Sequence, residues 1–104
     1  MPDKTFGGAT VSVDADGFMT DPSAWTKEIA QDLASEAGIT LTDRHWVVLD
    51  FVRQDAVDQG EPPGVRRITK LTDVSMKEIY QLFPKGPGIL ASKVSGYGKP
   101  QGCV

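Results

Sequence analysis

The chain has 104 residues, of which 39% are hydrophobic and 24% charged, a balance typical of one soluble globular domain. No apolar run is long enough to cross a bilayer, and the first eight residues lack the basic and apolar parts of a signal peptide. We therefore expect a cytoplasmic protein without direct membrane contact. The single cysteine excludes an internal disulfide, and with only one histidine we expect neither a metal site nor a cofactor.

The formal net charge of −3 is unevenly distributed along the chain. Residues 84–104 contain three lysines and no acidic side chain, which leaves a net −6 on the rest of the chain. A protein that binds duplex nucleic acid needs a basic face. A helix-turn-helix nucleic-acid binder, a motif that a helical bundle can contain, is therefore the least favoured class of function.

The N-terminal part of the chain predicts a β-hairpin followed by a helix. Within residues 9–20, alternating polar and apolar residues run into an Asp-Gly pair, which is a strong hairpin signal. Asp21 and Pro22 then predict a helix start, because aspartate caps helices and proline suits the first helical position. Gly38 predicts the end of this helix. Its apolar stripe has fourfold spacing and consists of Trp25, Ile29, Leu33 and Ala37.

A second and longer helix is predicted from the cap Thr42 to the stop at Gly60, after which a Pro-Pro pair follows. Its apolar side chains cover much of the helix circumference, which predicts the central buried helix of the fold. These side chains are Trp46, Val47, Val48, Leu49, Phe51 and Val52. His45 lies in the first turn of this helix, and we interpret it as structural rather than as a proton shuttle.

Three shorter helical segments are predicted in the second half of the chain, over residues 65–71, 75–83 and 89–94. The middle one has an apolar stripe formed by Met76, Ile79, Tyr80 and Phe83. After them, residues 96–104 contain three glycines and a proline and have almost nothing to bury, which is typical of a terminal arm.

These elements predict a mainly α fold of the α+β class, a small helical bundle with an N-terminal β-hairpin and a flexible C-terminal arm. We expect a single domain over residues 1–104. Its parts are the hairpin at 9–20, the helical body at 21–95 and the arm at 96–104.

Cys103, the penultimate residue, is the candidate catalytic group. Most cysteines in such domains are small buried hydrophobes, but this one has no periodic apolar neighbours and lies where chains fray. A thiol on an arm can enter another protein's active site, as swinging group carriers do. Sulfur transfer needs such a thiol, because the thiolate attacks a donor persulfide and takes its outer sulfur.

The blocks "LFPKGP" at 82–87 and "KPQGCV" at 99–104 resemble the DsrC/TusE family of sulfur-trafficking proteins. Further blocks agree in the same order along the chain: "DADGFMTDPSAW", "LTDRHWVVLDFVR" and "PPGVRRITK". The resemblance implies a helical domain whose penultimate cysteine carries sulfur as a persulfide. It also implies donor and acceptor proteins of a sulfur relay as partners, so the chain is expected to be a sulfurtransferase component rather than a stand-alone catalyst.

The two branches of that family differ in the number of thiols on the arm. The resemblance implies that DsrC-like members, the gamma subunits of dissimilatory sulfite reductase, use a second cysteine at the place where this chain has Ser92. A serine neither holds sulfane sulfur nor closes a disulfide, so we expect Ser92 to be inert and single-thiol carriage of the TusE kind, in tRNA thiolation, to be favoured. A regulatory protein of sulfur metabolism that docks on sulfur enzymes without sulfur turnover stays open.

Four residues are weaker candidates for binding the arm or an anion. Arg66, beside Arg67, suits a carboxylate or a sulfur oxyanion, and the family pattern favours Arg66; the alternative is a solvated helix start. Lys85 and Lys99 would stabilise the thiolate if the arm folds back. Tyr97 is the aromatic residue of the arm, either an anchor for a partner or a latch against the body.

Overall fold

The computed structural model describes residues 3–6 and 9–98. Strand β1 (Asp3–Phe6) pairs antiparallel with β2 (Ala9–Ser12), from Asp3 opposite Ser12 to Phe6 opposite Ala9. The predicted hairpin at 9–20 is therefore displaced, because β2 pairs mainly with residues that precede it. The Asp-Gly turn does form, since Val13 and Met19 make an antiparallel bridge around it. The sequence does carry a signal for this pairing, the Gly-Gly pair at residues 7 and 8 between the strands, which the prediction from the Asp-Gly pair did not use.

The first helix begins later than Asp21 and Pro22 predict. Asp21 caps only a short 3-10 helix, Pro22–Ala24. The α-helix α1 (Lys27–Glu36) starts after Thr26, whose hydroxyl accepts a hydrogen bond from the Ile29 N–H at 3.2 Å. Trp25 lies between the two in an extended conformation, so it is not part of the helical stripe.

The remaining helices form close to the predicted ranges. They are α2 (Asp43–Gln59), α3 (Val65–Leu71), α4 (Met76–Leu82) and α5 (Pro87–Val94). Thr42 and Ser75 precede α2 and α4 as N-caps, and Gly60 ends α2 in the left-handed conformation. The fold is thus mainly helical with an N-terminal hairpin, as the sequence predicts.

Helix α2 lies against α3 and α5, and α1 and α4 also pack on α5. Its buried apolar side chains are Val48, Leu49, Val52 and Ala56. The prediction that α2 is buried around most of its circumference is wrong on one side, where Val47 and Val57 are exposed. The stripe of α4 is also only half buried: Ile79 and Phe83 lie in the core, whereas Met76 and Tyr80 are exposed.

Among the helices of the described residues, none is both long enough and apolar enough to span a bilayer. The packing brings the C-terminal end of α5, where the arm begins, against α2 and the turn that precedes α1. This junction is the part of the described structure that positions the arm.

Candidate functional site at the root of the arm

Helix α5 ends in a hydrogen-bonded turn from which the arm leaves. The Gly96 N–H donates to the Lys93 carbonyl at 3.1 Å, and the Tyr97 N–H donates to the Ser92 carbonyl at 3.0 Å. This pair of bonds is the Schellman motif, which requires a left-handed residue after the helix. Gly96 supplies it with φ of +85°. The first residues of the arm therefore have a defined conformation.

Gly96 also permits close packing on Trp25. A Cβ atom at Gly96 would lie 2.5 Å from Trp25 Cδ1, closer than nonbonded carbon atoms approach. The indole Nε1–H of Trp25 donates to the Val94 carbonyl at 2.8 Å, which satisfies one of the free carbonyls at the end of α5. Contact and hydrogen bond together hold the helix end against the turn before α1.

Arg53 of α2 joins these segments. Its guanidinium lies over the ring of Trp25 at 4.3 Å and over the ring of Tyr97 at 5.2 Å from each centroid. The same group donates to the Ser95 carbonyl at 2.8 Å and to the Pro22 carbonyl at 3.2 Å. We call Trp25, Arg53 and Tyr97 the arm clasp, and residues 96–98 the arm root.

Ser92 is part of the same attachment. Its side chain is fully buried, and its hydroxyl donates to the Gly98 carbonyl. The hydroxyl thus has a structural role, because it ties the arm root to α5, and the expectation that Ser92 is chemically inert stays a prediction. The same hydrogen bond restrains Gly98, although glycine is the most permissive residue in the backbone.

The predicted site residues do not all meet at this place. Tyr97 belongs to the arm clasp and packs against the body in the described structure, whereas Cys103 and Lys99 lie outside the described residues. Arg66 and Lys85 have exposed side chains. Beside the clasp is an open cleft of about 330 Å³, and neither of these two is among the described residues that line it.

The cleft itself is bounded by the clasp and one face of α2. Its lining residues are Trp25, Asp50, Arg53, Gln54, Val57 and Tyr97. Within residues 3–6 and 9–98, no group of three or more His, Cys, Asp or Glu side chains is placed to hold a metal ion. In chemical terms, the described side chains of the site bind and orient the arm root.

Arg67, the neighbour of Arg66, has a structural partner. Its guanidinium makes two hydrogen bonds to the buried carboxylate of Asp55, at 2.7 and 2.9 Å. These bonds to the Asp55 carboxylate raise the pKa of Arg67 above its ordinary value. Of the two arginines considered for anion binding, Arg67 is thus paired with Asp55 of α2, and Arg66 stays the candidate.

Sequence reasoning missed Arg53. A signal was present, because Arg53 follows the buried Leu49 by four residues and precedes the buried Ala56 by three, so it lies on the same side of α2. A cation on a buried helix stripe needs partners for its charge and its donors. In the fold these partners are carbonyls and aromatic faces from distant segments.

The fold and site define a small, mainly helical protein with an N-terminal hairpin and a C-terminal arm whose root is fixed on the body. The family described as "DsrC like protein" matches residues 5–104. The chain belongs to this family.

Relatives from two named groups match almost the whole chain. "Sulfurtransferase TusE" of Pectobacterium atrosepticum is 37% identical over 106 residues, covering 95% of this chain and 97% of that protein. The gamma subunit of dissimilatory-type sulfite reductase from Nitratidesulfovibrio vulgaris is 36% identical over 105 residues, covering all of both chains. The crystal structure of the oxidized DsrC gamma subunit from Archaeoglobus fulgidus has a TM-score of 0.85 at 33% identity, over 99% of this chain and all of that one.

Proposed function

We propose that this protein carries sulfur as a persulfide on Cys103 and passes it between a donor and an acceptor protein of a sulfur relay. The similarity to TusE sulfurtransferases over nearly the full length supports a relay role. One observation carries the single-thiol form of the proposal. The place at which a second arm thiol is expected holds Ser92, whose hydroxyl is fully buried and bonded to the arm root.

The proposed reaction is two successive exchanges at sulfur. The Cys103 thiolate attacks the outer sulfur of a donor persulfide, a new S–S bond forms, and the donor S–S bond breaks with its electron pair leaving on the donor thiolate. The proton of the transferred S–H group stays with the outer sulfur. The acceptor thiolate then repeats the attack on the Cys103 persulfide. No net oxidation occurs, so neither step needs a redox cofactor.

In this proposal the arm delivers the Cys103 thiol to the active site of a partner. Cys103 is the fifth residue after Gly98, so covalent geometry keeps its Cα within about 18 Å of the arm root. That distance suits entry into a partner's active site while the body docks outside. Lys99 would favour the thiolate by its charge, and Arg66 or Lys85 would contact anionic groups of the arm or a partner.

The partners are proposed to be proteins of the cytoplasm rather than nucleic acid. The acidic body disfavours direct binding to tRNA, so a role in tRNA thiolation would run through an acceptor enzyme. The absence of a second thiol at Ser92 favours this pathway over the two-cysteine cycle of sulfite reductase. Reconstituted tRNA thiolation with and without this protein tests that pathway.

Intact-protein mass spectrometry tests the carrier chemistry. The protein is mixed with a persulfidated sulfurtransferase, and the Cys103→Ser variant is treated alongside. The wild type should gain the mass of one sulfur atom and lose it to mild reductant, and the variant should gain none. Uptake by neither protein, from a donor that loads other thiols, would overturn the proposal in favour of a regulatory docking protein.

A further inference from the structure

The contacts of the arm clasp lie immediately before the segment that bears Cys103. Residues 95–97 are held by four contacts: two are backbone hydrogen bonds of the Schellman turn, and the other two come from Arg53, which donates to the Ser95 carbonyl and lies over the Tyr97 ring. None of these contacts involves residues beyond Gly98. We infer that Arg53 is a positioning residue of the carrier, which sets the point from which the Cys103 tether starts; this inference rests on the proposed function.

The clasp shortens the effective tether. With the arm root held, the tether runs from Gly98 to Cys103, five residues; with the root released, it runs from Ser95, eight residues. Effective concentration at a docked partner falls roughly as the −3/2 power of tether length, which gives about a twofold loss from length alone. An arm root that is not held on the body also loses conformational freedom each time a partner protein binds, and this loss lowers the apparent affinity for the partner further.

The chemistry of Arg53 explains why arginine is needed. A planar guanidinium presents both faces to aromatic rings while its edge donates to carbonyls on either side. Here the edge reaches Ser95 on the C-terminal side and Pro22 on the N-terminal side. Lysine at this position would keep the charge, but its compact ammonium group lacks the flat faces that stack on aromatic rings and the fixed fork of donors that guanidinium offers to the two carbonyls.

A matched control lies on the same helix. Arg44 also links α2 to another element, by hydrogen bonds to Asp73 and Glu78. Its replacement by glutamine removes the same charge and at least as many hydrogen bonds as the loss of Arg53 does. None of its described contacts is to the arm root. Comparing Arg53→Gln with Arg44→Gln therefore separates positioning of the arm from a general loss of stability.

The test is an internal competition for a limiting donor. Unlabelled wild type and ¹⁵N-labelled variant are mixed in equal amounts with a persulfidated sulfurtransferase, and loading of each is read by intact mass at early times. The ratio of loaded species gives the ratio of kcat/KM. We expect Arg53→Gln to lose up to about twofold in this ratio, because the Schellman turn and the Ser92 hydroxyl still restrain part of the arm root. The KM should rise, and the rate at saturating donor should stay unchanged. Arg44→Gln should load like the wild type.

Two further readouts exclude other causes. Alkylation of Cys103 by iodoacetamide should proceed at the same rate in wild type and Arg53→Gln, because the thiol itself is untouched. Arg53→Lys should remain impaired; full recovery in that variant would assign the effect to charge alone and overturn the inference.

The outcomes distinguish the two proposals. Equal loading of wild type and Arg53→Gln overturns the positioning role and leaves the carrier function intact. Equal impairment of Arg53→Gln and Arg44→Gln also overturns it, since stability then explains the loss. If the wild type itself takes no sulfur, the carrier function fails and the inference falls with it.

Discussion

Two arginines of helix α2 tie it to its neighbours, Arg44 in its first turn and Arg53 beyond its middle, and the two ties differ in chemistry. Arg44 binds the carboxylates of Glu78 on α4 and of Asp73 in the segment before α4, with its shortest contact at 2.7 Å to Glu78. Further along, Arg53 reaches the arm root through neutral carbonyls and aromatic rings. The same residue type thus makes one joint from charge pairs and another from groups that carry no charge.

This difference predicts that the Arg44 contacts respond to pH and salt and that the Arg53 contacts do not. The Arg44 hydrogen bond lowers the pKa of Glu78 below its ordinary value, and Glu78 and Asp73 raise the pKa of Arg44. Exposed charge pairs are also screened by salt. The described hydrogen-bond and ring partners of Arg53 are backbone carbonyls and aromatic rings rather than carboxylates, so the arm root should stay attached where the Arg44 contacts weaken.

The largest expected effect is at Gly96, where the arm root packs on Trp25. Gly96→Ala would force a side chain into a left-handed residue and against the indole, which should lower the free energy of unfolding by about 3 kcal/mol. Gly60→Ala is the matched control, because Gly60 has a similar φ of +82° but no atom within 4 Å of the added Cβ. That variant should lose only about 1 kcal/mol. Chemical denaturation measures both, and equal losses would show that the Trp25 contact contributes nothing.

His45 lies beside Arg44 and should give the next largest effect. Its buried ring accepts the Thr42 N–H at 3.1 Å through Nδ1, and Nε2 lies 2.8 Å from the Leu82 carbonyl. His45→Ala would leave both backbone groups without this partner and should cost about 2 kcal/mol. Thermal or denaturant unfolding measures the loss; a change below about 0.5 kcal/mol would refute the structural role.

Arg53→Gln and Arg44→Gln should differ in their dependence on pH. Arg53→Gln should cost about 1 to 2 kcal/mol at every pH between 3 and 7, through lost cation–π contact and hydrogen bonds. Because the folded-state pKa of Glu78 is depressed, its pairing with Arg44 stabilises the fold above the ordinary glutamate pKa of 4.5, and this contribution disappears as the pH falls below that value. The cost of Arg44→Gln should therefore shrink in acid and in high salt.

Unfolding free energies of both variants across that pH range provide the check. A cost of Arg53→Gln that declines in parallel with that of Arg44→Gln would contradict the distinction between the two joints. Glu78→Gln serves as the control, since it should remove most of the pH dependence of the Arg44 effect.

The smallest expected effect is at Ser92. Ser92→Ala removes the hydroxyl that donates to the Gly98 carbonyl, at a cost of about 1 kcal/mol. Ser95→Ala is a suitable comparison, because its hydroxyl bonds to the Ser92 carbonyl within the same turn rather than to residue 98. NMR resonances of residues 97 and 98 should shift more in Ser92→Ala than in Ser95→Ala, and the reverse result would contradict the assigned tie.

Local signals in the sequence were sufficient for most helices and insufficient for contacts between distant segments. Thr42, Ser75 and Gly60 delimit α2 and α4 because capping is a short-range interaction. The pairing of β1 with β2 also has a local marker, the Gly-Gly pair at residues 7 and 8, but the prediction rested on the Asp-Gly pair instead. Asp21 does act as an N-cap, but of a short 3-10 helix. The residues around Asp21 do not indicate that the longer helix starts after Thr26 instead.

For the candidate site, too, the sequence indicated which residues matter but not the contacts they make between distant segments. Tyr97 was recognised as an arm aromatic, but its position over Arg53 depends on a contact across 44 residues of sequence, which no local pattern encodes. Ser92 was judged by its chemistry alone, and its structural tie to Gly98 follows only from the fold. Cys103 was identified from its place in the sequence, lies outside the described residues and stays a prediction.

The central claim, that Cys103 hands sulfur on rather than merely being modified, is tested most directly by a transfer measurement. The protein is loaded with isotopically heavy sulfur, separated from its donor, and mixed with a sulfurtransferase acceptor whose cysteine is reduced. The account predicts that the heavy sulfur leaves the wild type and appears on the acceptor in equal amount, and that Cys103→Ser carries none. Heavy sulfur that stays on Cys103 while the acceptor takes sulfur from other donors would contradict the carrier and identify a sensor.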